Sequence, residues 1–182
     1  MTRYAGFLRG VNVNGVSLKM AAVAATLRDA GFTDVTTILA SGNVLLSSRA
    51  SADAVRRDAE RALRDEFGYD AWVLVYDLDA VAAVSAAFPF EREVPEHHSY
   101  VTFVSDPGVH SELCALADRP GPQEQIQPGD GVVYWQVPRA ATLASAMGKT
   151  MGKKRYKSST TTRNLRTIDK VLRAGRGAGQ EN

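Results

Sequence analysis

The segment from Arg9 to Lys19 holds residue types suited to binding an anion. It has a cation at each end, the amides Asn12 and Asn14 and two glycines, and it runs from a predicted strand towards a predicted helix. Backbone N–H groups at a helix start, with cations nearby, can bind a phosphate or a carboxylate. The spacing matches neither the Gly-Lys-Ser/Thr phosphate loop nor the dinucleotide-binding fingerprint. An ordinary turn followed by an exposed lysine explains the same residues.

Asn43, at the end of the turn Ser41-Gly42-Asn43, is a second candidate. In a βαββαβ unit, the strand that starts near Asn43 lies beside the first strand, which brings this amide towards Arg9. Turn formation accounts for the segment equally well. Arg163 and Asn164 are expected to approach the same anion from a second lobe. The predicted anion-binding set is therefore Arg9, Asn12, Lys19, Asn43, Arg163 and Asn164.

A basic run around one tyrosine is the third candidate. Five cations lie within the nine residues 149–157. Cations on phosphates, together with an aromatic ring on a base, are typical of nucleic-acid binding. Basic runs are also commonly solvated surface. The residues predicted for this alternative function are Lys149, Lys153, Lys154, Arg155, Tyr156 and Lys157.

The charge of the chain is unevenly distributed. The 182 residues carry a formal charge of +2, but residues 139–173 contain ten basic side chains and one acidic one. The rest of the chain therefore has a balance of −7. A basic segment of this density attracts anions whatever the net charge of the molecule.

Composition excludes several classes of protein. A single cysteine, Cys114, rules out a disulfide framework and a multi-cysteine metal site. The three histidines lack metal-ligand spacing, so we expect no metal, and no cofactor motif is present. No apolar run approaches the roughly 20 residues that span a bilayer, and the N-terminus leads directly into a strand pattern. We therefore expect a soluble, cytoplasmic protein that does not bind membranes.

The elements that position these residues follow a strand–helix–strand–strand–helix–strand order in the first half. Hydrophobic periodicity and turn residues predict them at 4–13, 19–30, 34–39, 44–48, 51–68 and 71–76. This order is typical of a ferredoxin-like lobe. The second half repeats the plan less clearly, with elements at 78–88, 99–104, 109–117, 123–127 and 132–137 and a last helix at 162–173.

The pattern predicts an α+β protein with two ferredoxin-like lobes in tandem, although one larger mixed sheet also fits. The predicted divisions are an N-terminal lobe at 1–77, a connecting helix and linker at 78–98, a C-terminal lobe with the basic segment at 99–174, and a disordered tail at 175–182. The tail is expected to be disordered because it has almost no apolar side chains.

Three stretches, found in order along the chain, resemble the domain-of-unknown-function 1697 family. They are Phe7-Leu8-Arg9-Gly10-Val11-Asn12-Val13 with Lys19-Met20, Ser41-Gly42-Asn43-Val44, and Thr161-Thr162-Arg163-Asn164. The resemblance implies a pair of ferredoxin-like lobes and a mostly bacterial family with no established activity. Many members have tryptophan after the last stretch, where this chain has Leu165.

Three functions follow from these patterns as hypotheses. The first is binding of a phosphate- or carboxylate-bearing small molecule between the two lobes, which is where pockets commonly form. The second is nucleic-acid binding through residues 139–173, and the third is a protein-interaction module without a ligand. The sequence indicates neither a reaction nor an oligomeric state.

Overall fold

The computed structural model describes residues 1–13 and 16–177, and the chain divides into two compact units. One consists of Met1–Ala82 with the segment from Asp169 onward, and the other of Ala83–Ile168. Each unit has its own sheet. In the described part of the chain, no helix is long and apolar enough to cross a membrane.

The first unit is built on a four-stranded antiparallel sheet with the order β4-β5-β1-β6. Its elements are β1 (Thr2–Arg9), β2 (Asn12–Val13), β3 (Val16–Ser17), α1 (Met20–Asp29), β4 (Thr33–Ile38), β5 (Asn43–Ser48), α2 (Ala52–Phe67) and β6 (Trp72–Asp77). The two-residue strands β2 and β3 pair with each other, apart from the main sheet. The remaining elements give the ferredoxin-like order.

Helices α1 and α2 each bury one face in the core of the first unit. In α1, Val23 and Leu27 are buried four residues apart, and in α2 Val55, Ala59 and Leu63 repeat the same interval. This spacing places the apolar side chains on one face of each helix. They join one apolar cluster with residues of the sheet.

The second unit repeats this plan with the sheet order β10-β7-β9-β8. The elements of the second half are α3 (Leu78–Ala86), β7 (His97–Val104), α4 (Pro107–Cys114), β8 (Gln125–Pro128), β9 (Val132–Pro138), α5 (Ala146–Met151), β10 (Thr160–Asn164) and α6 (Leu165–Gly177). The boundaries between the two units fall within α3 and α6. The first, second, third and fourth main strands occupy the same places in both sheets. Two ferredoxin-like lobes, as predicted, are therefore confirmed.

The segment before α6 differs from the prediction. Residues 162–164 were predicted to open the last helix, but they form the end of β10, and α6 begins at Leu165. The side chains of Thr102 and Thr162 are hydrogen-bonded at 2.8 Å between β7 and β10. Pairing with β7 therefore determines the conformation of a polar segment that resembles a helix cap in the sequence.

Two predicted boundaries also differ. The first strand ends at Arg9 instead of continuing to Val13, because Gly10 adopts a φ of +85°. Helix α6 continues to Gly177, so the first residues of the predicted disordered tail are helical. The rest of the predicted tail, 178–182, and the predicted turn at Asn14-Gly15 lie outside the described residues.

Candidate anion-binding site

A pocket lies at one end of the sheet of the second unit, where β7 begins and where β9 and β10 end. Because these strands are antiparallel, the pairing places Pro138 opposite His97 and Asn164 opposite Tyr100. The start of α6 follows β10 directly. The start of β7, the ends of β9 and β10 and the start of α6 therefore meet at this edge of the sheet.

The pocket has a cavity volume of about 30 Å³ and is open to solvent on one side. Most of the residues that line it are polar, and its only acidic residue is Glu93. The lining consists of Arg92, Glu93, Val94, His97, His98, Ser99, Arg139, Asn164, Leu165 and Arg166. Three arginines against one glutamate give a formal charge of +2 when the histidines are neutral. The pocket is therefore small and positively charged.

Two polar side chains of the lining each accept a hydrogen bond from another part of the protein. Gln136 Nε2 donates to Ser99 Oγ at 2.9 Å, and the backbone N–H of Arg166 donates to Asn164 Oδ1 at 2.9 Å. Among the described residues, nothing accepts a hydrogen bond from the Ser99 hydroxyl or the Asn164 amide. Ser99 is only 8% exposed, so its hydroxyl hydrogen has little access to bulk water. Each group therefore retains a donor that a ligand with acceptor atoms can satisfy.

The three arginines differ in how they are held. Arg92 donates to Ser85 through its backbone carbonyl oxygen at 2.7 Å and through its Oγ at 3.1 Å, which restrains the guanidinium. Arg139 and Arg166 are exposed, and their guanidinium groups have no partner among the residues that the structure describes. Both have donors available for a ligand.

The two histidines are oriented by hydrogen bonds at their Nδ1 atoms. His97 Nδ1 lies 2.8 Å from the carbonyl oxygen of Pro95, to which it can only donate. His98 Nδ1 lies 3.0 Å from both the Tyr100 hydroxyl and Thr142 Oγ1. Burial first, and then the nearby cation of Arg139, lower the pKa of His98 below its ordinary value. Arg139 and His98 both line the pocket.

The residues of the first unit predicted to bind an anion are placed differently. Asn43 is fully buried, and its Nδ2 donates to the Ile38 carbonyl and to Ser41 Oγ, both at 2.9 Å. These contacts hold the turn before β5. Arg9 ends β1 opposite Trp72, and partial burial lowers its pKa.

The other two predicted residues of that unit flank the small β2–β3 ladder. The backbone of Asn12 pairs with Ser17 in this ladder, and its side chain lies outside the described residues. Lys19 is exposed at the start of α1, where its carbonyl oxygen accepts from the N–H groups of Ala22 and Val23. Anion binding by these residues stays a prediction.

Arg163 and Asn164 are neighbours with different environments. Arg163 is 8% exposed, and its guanidinium donates to Thr161 Oγ1 at 2.6 Å and to the Thr162 carbonyl at 2.9 Å. Successive residues of a strand point to opposite faces. Of the five predicted residues whose side chains the structure describes, only Asn164 lines the pocket.

The basic run predicted to bind nucleic acid has its aromatic residue buried. Tyr156 is 6% exposed, and its hydroxyl donates to Glu112 Oε2 at 3.1 Å. Arg155 binds both carboxylate oxygens of Glu112 at 2.6 Å and lies over the Tyr156 ring. The buried ring of Tyr156 therefore offers little surface on which a base could stack, and nucleic-acid binding by the run stays a prediction. The four lysines of the run are all exposed, namely Lys149, Lys153, Lys154 and Lys157.

The family model for proteins of unknown function named DUF1697 matches residues 1–134. The chain belongs to this family. The match covers the part of the first unit that ends at Ala82 and most of the second sheet. It ends before the third stretch of the predicted resemblance, Thr161–Asn164. No curated protein matches the chain.

Two solved structures are similar to this DUF1697 protein. The conserved bacterial protein SP0830 from Streptococcus pneumoniae is 20% identical, with a TM-score of 0.79, and the alignment covers 97% of this chain and 99% of that one. An unknown protein from Galdieria sulphuraria is 10% identical over 90% of this chain and 98% of that one, and its TM-score of 0.27 carries no argument. The first similarity supports the fold and says nothing of a ligand.

Sequence reasoning on this DUF1697 chain missed most of the pocket. Arg139 and Arg166 lie in the basic segment that the charge count singled out, so that signal pointed towards them. His97 and His98 were considered only as metal ligands. Arg92 lies among acidic residues and gives no signal in the sequence.

Proposed function

We propose that this DUF1697 protein binds the anionic group of a small molecule in the pocket at the start of β7. The observation that carries the proposal is the excess of hydrogen-bond donors. Ser99 and Asn164 each already accept a hydrogen bond and retain their donors, and no described residue accepts a hydrogen bond from the guanidinium groups of Arg139 and Arg166. The polar atoms of an anion are hydrogen-bond acceptors, so they pair with these donors and form charge-assisted hydrogen bonds that a neutral ligand cannot form with the same strength.

Charge and size support the same conclusion. The formal charge of +2 on the lining favours a negatively charged ligand. A cavity volume of about 30 Å³ is far below the range for pockets that enclose a whole small molecule. The pocket therefore suits the charged group of a ligand whose remaining atoms lie outside it.

The proposed ligand belongs to the class expected from the sequence, but the proposed binding site lies elsewhere in the chain. The expected site was between the two lobes, whereas the residues that line this pocket all belong to the second unit. Asn164 belongs both to the residues predicted from the sequence and to the lining of this pocket.

Calorimetric titration with inorganic phosphate, malonate and acetate at low salt tests the proposal. We expect the wild-type protein to bind at least one of them in the millimolar range or tighter. Arg139→Ala and Arg166→Ala should each weaken that binding about tenfold, because each removes one charged contact. Arg119→Ala is the matched control, since Arg119 is exposed in the same unit and does not line the pocket.

Asn164→Asp separates binding from folding. Aspartate keeps an oxygen that accepts the Arg166 N–H and caps α6, but it replaces the amide donor with a negative charge. Anion binding should be lost while the melting temperature changes little. Binding that is unaffected in all three pocket variants, or absent from the wild-type protein, overturns the proposal.

A further inference from the structure

We infer, on the basis of the proposed function, that the anion is the phosphate of a small aliphatic monoester. The available donors come from separate segments of the chain and not from a single pair of side chains. They are Ser99 on β7, Arg139 after β9, Asn164 at the end of β10 and Arg166 at the start of α6. The ligand must therefore accept hydrogen bonds from several directions.

A phosphate monoester satisfies this requirement better than a carboxylate. Its phosphoryl group has three strong acceptor oxygens arranged in three dimensions, whereas a carboxylate has two oxygens in one plane. One arginine fork can occupy both oxygens of a carboxylate. With a carboxylate, Arg139, Arg166 and Ser99 would then compete for the lone pairs that remain on its two oxygens. The third oxygen of a phosphoryl group gives these donors an additional acceptor.

The charge of the pocket also matches that of a monoester. A phosphate monoester carries a charge of about −1.5 to −2 at neutral pH. The lining has a formal charge of +2 when its histidines are neutral. A single carboxylate would leave one positive charge unbalanced.

The rest of the lining restricts the organic part of the ligand. Apart from the two histidine rings, no aromatic side chain lines the pocket, so it offers no tyrosine, phenylalanine or tryptophan for stacking a nucleobase. Val94 and Leu165 provide a limited apolar surface. The carboxylate of Glu93 is the acidic group of the lining, and it would accept from a hydroxyl or an amine. These features favour a short polyol or amino-alcohol phosphate.

The test compares two small dianions, methyl phosphate and malonate, by calorimetric titration of the full chain at pH 7.5. We expect methyl phosphate to bind at least about tenfold more tightly, since it makes at least one further charge-assisted hydrogen bond. Ser99→Ala should weaken methyl phosphate binding about fivefold or more and change malonate binding by less than about twofold. Ser111→Ala, which removes an exposed hydroxyl elsewhere in the unit, is the control.

Glycerol phosphate tests the role of Glu93. It should bind more tightly than methyl phosphate, and Glu93→Gln should reduce that preference without weakening methyl phosphate. Far-ultraviolet circular dichroism of each variant verifies that the chain is folded.

The outcomes distinguish the inference from the proposed function. Equal or tighter binding of malonate refutes the phosphate inference and leaves anion binding in place. Loss of both ligands in Ser99→Ala to the same extent also contradicts it, since the hydroxyl would then not select a phosphate. Failure of both dianions to bind the wild-type protein refutes the inference together with the function on which it rests.

Discussion

The hydrogen bonds already formed by each polar residue decide which of them can serve a ligand. Asn43 has the amide chemistry of a binding residue, but its donors hold the Ile38 carbonyl and Ser41 in the turn before β5. Asn164 uses its oxygen to cap α6 and retains its amide donor. The same residue type therefore has a folding role in one position and a donor available in the other. Sequence identifies the residue type, whereas the local partners determine its role.

The titration of His98 should report the charge of the pocket. Burial and the Arg139 cation lower the pKa of His98 below its ordinary value of 6.5. The folded chain then binds this proton less readily than the unfolded chain, so stability should fall as the pH decreases below about 6.5. Arg139→Ala removes the second cause and should raise the pKa, without restoring it fully because the burial remains. Proton NMR of the imidazole signal measures the change.

Two controls accompany this titration. Arg119→Ala should leave the pKa of His98 unchanged, because this arginine does not line the pocket. Saturation with methyl phosphate should raise the pKa in the wild-type protein, since an anion beside the imidazole favours its charged form. A pKa that stays the same in Arg139→Ala would show that this guanidinium does not act on His98.

Among the elements, β10 shows most clearly what could not be predicted from sequence. Hydrophobic periodicity predicted the other main strands and the helices α1, α2 and α4, because their apolar side chains repeat at the spacing of the element. The segment Thr160–Asn164 has no apolar side chain. Its conformation depends on pairing with β7, which is distant in sequence, and the Ser/Thr run before it resembles a helix cap. The pocket was missed for the same reason, since strand pairing assembles its lining.

A buried carboxylate binds the start of helix α5. Glu124 is 5% exposed, and its Oε2 accepts from the N–H groups of Gly121 at 2.7 Å and Ala146 at 2.9 Å. Its Oε1 accepts from the N–H of Met147 at 3.0 Å. Ala146 and Met147 begin α5, where unpaired N–H groups and the helix dipole favour a negative charge. The side chain thus joins the start of α5 to the loop before β8.

Glu124→Gln should destabilise the second unit by about 2–3 kcal/mol. Glutamine is nearly isosteric, but it removes the charge and turns an NH₂ group towards buried N–H donors. Urea unfolding followed by Trp135 fluorescence, in a Trp72→Phe background, reports this unit because Trp135 lies in β9. Glu66→Gln, at an exposed position of α2, is the control and should change stability by less than about 0.5 kcal/mol. A similar small effect of Glu124→Gln would show that the charge is not needed.

For the whole molecule, the net charge of +2 is the sum of two opposite regions. Residues 139–173 carry +9 and the remaining residues −7. The structure divides the basic region further. Arg139 and Arg166 line the pocket, Arg155 is bound by Glu112, and Arg163 donates to Thr161 and Thr162. Within the predicted nucleic-acid run, the exposed cations that have no acidic partner among the described residues are then its four lysines.

This division of charge predicts weak, salt-sensitive binding of single-stranded nucleic acid. Each phosphate contact contributes a slope of about −0.7 to log K against log salt, so four lysines give a slope no steeper than about −3. Stacking cannot add affinity through Tyr156, since its ring is buried. Fluorescence anisotropy of a labelled oligonucleotide across a salt series measures the slope, and binding should be negligible at physiological salt. Lys153→Ala with Lys154→Ala should remove most of the residual binding, whereas Arg139→Ala should spare it and weaken methyl phosphate instead. A slope steeper than about −5, with affinity retained at physiological salt, would contradict this prediction and indicate that nucleic acid is a main ligand of the basic region.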